Sequence, residues 1–133
     1  MTSSIEALAR TRQRLATLET FAIFMRPTDE FRSSDSEEGA AMLVKHLEYL
    51  FDLEDRGLLL ASGPLDFDRE RIEGMCMVAV ASRSEAERIA TREPFHQAGW
   101  RVNEVRSWRV NEGTLIAPMS AAIAGGLRDE HRR

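Results

Sequence analysis

The sequence predicts an α+β domain in which two helices cross one face of a four-stranded antiparallel sheet, in the order β-α-β-β-α-β. Three observations lead there. Two long stretches carry apolar residues at helical spacing behind Ser/Glu capping signals. Four shorter stretches are rich in β-branched, aromatic or other apolar residues and are bounded by Gly, Pro or charge. The two middle strands are joined by a connection of about hairpin length, whereas each outer pair is separated by a helix.

The first strand is TFAIFMRP, residues 20–27, rich in Phe and Ile and stopped by Pro27. A polar loop, residues 28–38, follows, in which Ser34 and Glu37, or Asp35 and Glu38, have capping-box spacing. The first crossover helix runs from about 37 to 56, with Leu43, Leu47, Leu50 and Leu53 as its stripe and Gly57 as its C-terminal stop. LLLASGPL, residues 58–65, is the second strand and breaks at Gly63-Pro64. DFDRERIE is the charged connection, and GMCMVAVAS, residues 74–82, the third strand.

Ser82 with Glu85, and Ser84 with Glu87, cap the second crossover helix, whose stripe is Ala86, Ile89 and Ala90. That helix ends at Glu93, because a residue before proline avoids the α region. VNEVRSWRV, residues 102–110, sets Val102, Glu104, Arg106, Trp108 and Val110 against Asn103, Val105, Ser107 and Arg109, and reads as the last strand. This is the ferredoxin-like split βαβ order. With both helices on one face the other is bare, and Phe21, Ile23 or their neighbours would need a cover there. A second copy of the chain is the simplest one, so a homodimer is expected.

Outside residues 20–112 lie two extensions. Residues 1–19 contain a helix over 5–19 with Leu8, Leu15 and Leu18 on one face, and residues 113–133 form a tail with the small-residue stretch APMSAAIAGG and a charged end. Both are expected to pack outside the domain or on a partner subunit.

The totals narrow the function. A chain of 133 residues fits one domain, and 43 % apolar content suffices for a core. The net charge of −4 argues against nucleic acid as the main partner. No apolar run approaches the roughly 18 residues of a membrane span, and no secretory signal is evident. The single cysteine, Cys76, rules out an internal disulfide and suits a reducing cytoplasm. No metal or cofactor motif is present, so neither is expected.

The segment REPFHQAGW, residues 92–100, holds the first chemical signal. Glu93 stands at the C-terminal end of a helix, where partial negative charge makes a carboxylate unfavourable. Solvation of its side chain is one explanation, and retention at a site is the other. His46 lies three residues after Leu43 and four before Leu50, on the sheet side of its helix. A lone histidine there is more often a hydrogen-bonded core residue. Paired with a carboxylate, it would have its tautomer fixed and one nitrogen left to move a proton.

Several motifs in order resemble the YCII-related (YciI-like) domain family. KHLEYLFDLEDRGLLLASGPL, residues 45–65, resembles its helix with a His-Leu pair followed by Gly and a strand ending in Ser-Gly-Pro. SRSEAERIATREPFHQAGW resembles its Ser-Glu-Ala helix running into Asp-Pro-Phe and Ala-Gly, and VNEVRSWRV its closing strand. The resemblance implies a dimeric α+β barrel and a small-molecule ligand. It also implies a His-acid pair in the cleft, with the family's His at His46 and its Asp at Glu93, one methylene longer here. Some relatives process small ring compounds.

Around that pair, Gly63 and Pro64 would shape a strand end and leave room for ligand. Arg26 and Arg56 are candidates to hold a substrate carboxylate, and His96 is an alternative partner for the acid. Cys76, Met75 and Met77 read as packing residues. The expected function is proton transfer on a small, cyclic, anionic substrate, of lyase, isomerase or dehalogenase type. A non-catalytic ligand-binding or accessory dimer is the alternative, and a monooxygenase-type barrel a third reading.

Overall fold

The computed structural model describes the backbone of residues 3–132 and the side chains of residues 3–125. In chain order the elements are α1 (Ser4–Arg12), β1 (Leu18–Pro27), α2 (Glu37–Asp55), β2 (Leu59–Leu65), β3 (Glu73–Val78), α3 (Arg83–Arg92), α4 (Pro94–Gln97), β4 (Arg101–Val110) and α5 (Ile116–Arg132). The sheet order is β2-β3-β1-β4 with every neighbour antiparallel. The expected βαββαβ order is therefore present, in the ferredoxin-like arrangement.

Strand alternation decides which residues meet the helices. Ile23 and Met25 of β1, Cys76 and Val78 of β3 and Val105 of β4 point to one face and are buried there. Leu50 and Leu53 of α2 and Ala86 and Ala90 of α3 close over them. Each fully buried Leu or Val side chain contributes about 1.5–3 kcal/mol. The alanines let α3 lie close to the sheet. Tyr49 of α2 ties the two helices by donating its hydroxyl to the Ile89 carbonyl at 2.8 Å, and burial pushes its pKa up to about 12.

On the bare face the expectation holds for the neighbours of Phe21 and Ile23 and not for those two residues themselves. Phe21 and Ile23 pack in the helix-covered core. Their neighbours Ala22 and Phe24 alternate to the other side, in register with Met77 and Met75 of β3 and with Arg106 and Glu104 of β4. Trp108 and Val102 share that side and are 41 % and 56 % exposed.

Capping is local and mostly as the sequence suggests. Ser82 accepts from the Glu85 backbone N–H at 3.2 Å. For α2 the cap is Ser36, accepting from the Gly39 N–H at 3.0 Å, in place of Ser34 or Asp35. Gly57 takes φ 72° after α2, and the Leu58 N–H returns to the Leu53 carbonyl at 2.9 Å, a Schellman closure.

The extensions depart most from expectation. The first helix stops at Arg12, because Leu18 and Glu19 are drawn into β1 by pairing with Val110 and Arg109 of β4. No residue of α1 is buried. The expected tail instead contains α5, which lies against β2.

Candidate active site

His46 reaches the site because α2 presents one stripe to the sheet. It sits one turn before Leu50 on that stripe and is only 6 % exposed. Glu93 arrives from the other crossover helix. Before Pro94 it takes φ −64°, ψ 132°, the extended geometry a pre-proline residue prefers. Proline then occupies the first position of α4, where its missing N–H costs nothing.

Glu93 therefore ends one helix and begins another. Its carboxylate accepts the backbone N–H of Phe95, which makes it the N-cap of α4. The negative charge sits where orphan N–H groups converge, which removes the electrostatic objection raised by the end of α3. The one-turn helix closes at Gly99, with φ 78°, where the Trp100 N–H donates to the Phe95 carbonyl at 2.9 Å. This closure buries Phe95 and sends the chain into β4.

Three groups converge on the Glu93 carboxylate, which is 2 % exposed. Besides the Phe95 N–H, Asn103 Nδ2 donates to Oε1 at 3.2 Å and to the Ala90 carbonyl at 2.8 Å. His46 Nδ1 lies 3.3 Å from Oε2, at ion-pair distance but off the line of a hydrogen bond. Burial is the largest influence on this carboxyl and opposes its ionisation. The contacts from His46, the Phe95 N–H and Asn103 outweigh burial and hold its pKa below the ordinary value.

His46 lines a cavity of about 400 Å³. Gly63 and Pro64 of β2 and Arg101 of β4 also line it. Glu93 stands behind His46 and does not line this cavity. The His46 ring packs against Phe95 at 4.9 Å between centroids. The arrangement can orient an imidazole toward a small ligand from a fixed, ionised carboxylate.

The other sequence candidates lie elsewhere. Arg26 alternates with the buried Met25, faces the bare side of the sheet and pairs with Glu104 at 3.0 Å. His96 Nδ1 accepts the Asn103 backbone N–H at 3.2 Å, fixing α4 to β4. Arg56 follows α2, with Nη1 3.5 Å from Asp52. Cys76 is a core thiol whose pKa is pushed up to about 12, chiefly by burial and then by Glu93. Among the described residues no cluster of His, Cys, Asp and Glu could hold a metal ion, and no helix is long and apolar enough to cross a membrane.

Sequence reasoning missed Asn103 and Arg101. Both stand in β4 on the side of the buried Val105. The alternation of β4 marks that side, and Arg101 stands one residue before the strand expected over 102–110.

No curated protein matches the sequence. Among solved structures, the chain is similar to 5-chloro-2-hydroxyhydroquinone dehydrochlorinase from Burkholderia phenoliruptrix AC1100, in complex with 2,5-dihydroxybenzoquinone. The TM-score is 0.52 at 20 % identity, over 67 % of this chain and 92 % of that one. At that identity the likeness establishes a shared fold. The family model of the YCII-related domain matches residues 20–109, from β1 to the end of β4 but one residue, and the chain belongs to the YCII-related domain family.

Proposed function

We propose that this protein is a cytoplasmic, homodimeric enzyme in which His46 and Glu93 transfer a proton on a small anionic ring compound. The observation that carries this reading is the buried pair, 3.3 Å apart, with His46 on the wall of a ligand-sized cavity. Glu93, held ionised, favours the tautomer with the proton on Nδ1. That leaves Nε2 to take a proton from the ligand and return it. The Nδ1 contact aligns and shortens when a ligand fills the cavity, as catalytic hydrogen bonds commonly do.

Such a pair suits lyase, isomerase or dehalogenase chemistry. In dehydrochlorination of a chlorinated hydroxyhydroquinone, the ring loses one proton, taken by Nε2, and one chloride. The organic product is a hydroxybenzoquinone, and the proton and chloride balance as HCl. The structurally similar dehydrochlorinase makes this the first class to test.

Purified protein is incubated with 5-chloro-2-hydroxyhydroquinone under nitrogen and chloride release is followed. The reading expects release by wild type and a loss of at least about a hundredfold in His46→Asn, the scale of a general base. Absence of release together with binding of 2,5-dihydroxybenzoquinone moves the protein to the ligand-binding alternative. That alternative draws on one observation, the near-complete burial of His46.

A further inference from the structure

Arg101 opens β4 opposite Pro27 of β1, with its side chain on the helix-covered side. Its guanidinium carbon stands 4.3 Å from the Phe95 ring centre and 5.2 Å from that of Phe31. Space for it depends on Gly74, since a Cβ there would come within 3.3 Å of Arg101 Nη1 and 3.0 Å of the Met25 methyl. The guanidinium lines the His46 cavity and also a second one, of about 580 Å³, that contains Phe31, Arg32 and Arg71.

The polar side of Arg101 is only partly answered. Its Nε is buried and makes no hydrogen bond. Glu54 and Glu73 share the cavity wall and Glu93 acts on it through space, yet among the described residues the guanidinium forms no ion pair with any of the three. Partial burial opposes the charge of the guanidinium and outweighs the favourable field of the Glu93 carboxylate, so its pKa is lowered, and the two aromatic rings recover only part of that cost. A planar fork held over the Phe95 ring in the lining of both cavities suits two-point recognition of an anionic oxygen pair.

We propose that Arg101 is the anion anchor of the His46 cavity, binding the carboxylate or ionised hydroxy-quinone oxygens of a small ring ligand. This rests on the proposed function only in placing the ligand beside His46. Arg101 and His46 both pack on Phe95, so a single ring in the cavity can be held by one and meet the other. The anchor replaces Arg26, which the sheet carries to the opposite face.

The test is isothermal titration calorimetry with 2,5-dihydroxybenzoquinone, ionised at neutral pH, and with its neutral dimethyl ether. Wild type should prefer the ionised compound. Arg101→Met should weaken it by about tenfold or more, the loss of a charge-assisted pair of bonds, and change the ether by less than about twofold. Arg101→Lys should fall between the two, because it keeps charge but not the fork. NMR of the Arg101 Nε signal in wild type, read as the ionised quinone is added, gives the same answer without a variant and should show a saturable shift. Equal binding by Arg101→Met, an unmoved Nε signal, or failure of wild type to bind the ionised compound overturns the proposal. The proton-transfer reading is judged by chloride release and this one by binding. An anion held through Arg101 without turnover therefore overturns only the former.

Discussion

Glu93 caps α4 with the carboxylate that faces His46: Oε2 accepts the Phe95 backbone N–H and stands 3.3 Å from His46 Nδ1. One residue thus ends α3, starts α4 and fixes the acid of the pair. The charge that looked misplaced at a helix end is held by N–H donors from the next turn. Pro94 makes this possible, because it breaks α3 without requiring a donor of its own.

The first prediction concerns acid stability. Glu93's folded pKa is depressed below its unfolded value of about 4.3. Its ionisation therefore stabilises the fold at every pH above that value, and the contribution disappears as pH falls through the folded pKa. Glu93→Gln should lose about 1–3 kcal/mol at neutral pH, the cost of weakening buried charge-assisted bonds. Chemical denaturation at a series of pH values should show wild type and variant converging on acidification below about pH 4. A gap that stays constant with pH would reject this account of the carboxylate.

Asn103 supplies the second prediction. Its amide bridges the Ala90 carbonyl and Glu93 Oε1, and both partners accept, which fixes the orientation of the amide. Asn103→Ala should destabilise by about 1–3 kcal/mol by leaving a buried carbonyl and carboxylate short of a donor. It should also raise the Glu93 pKa, because one contact that lowers it is gone. Carbon NMR of the Glu93 carboxyl across an acid titration measures this directly. A Glu93 titration midpoint equal to wild type would show that Asn103 only packs.

The C-terminal segment gives the third. Ile116, Met119 and Ile123 of α5 recur at helical spacing and are half-buried, and α5 lies against β2, an edge strand. Burying those apolar side chains at the sheet margin stabilises the fold. Deleting residues 113–133 should lower Tm, by roughly 3–6 °C for each kcal/mol lost. An unchanged melting curve would make α5 a passive appendage.

The strand and helix order was legible because each element carries its own periodicity and stop signal. The pairing of His46 with Glu93 came from the family resemblance; stripe position and Pro94 constrain each side chain locally, but the distance between them is a property of the fold and not of spacing along the chain. The role of α4 was not legible. Four residues are too few for a periodic pattern, and only the Gly99 closure reveals the turn. Arg101 was hidden for a different reason. Its neighbours Phe31, Gly74 and Phe95 come from three separate segments, so no spacing along the chain announces them. Small residues disguised α5, since Ala and Ser make a weak apolar stripe and Gly125 lowers helix propensity.

The last prediction is the dimer. Phe24, Met75, Met77 and Trp108 lie on the side of the sheet opposite α2 and α3, with Trp108 41 % exposed. Arg26 and Glu104, paired at 3.0 Å, give that face a polar margin. An apolar sheet face with a charged border suits a second copy related by a two-fold axis, with both faces stacked as in a sandwich. Light scattering at micromolar concentration should give about twice the 15.1 kDa chain mass. Trp108→Glu would place one unpaired charge from each copy in the dry centre of that interface, at a cost of several kcal/mol. The variant should scatter as a folded monomer, its helical and strand content unchanged by circular dichroism. A monomeric wild type, or a variant that stays dimeric, would remove the sheet face as the interface.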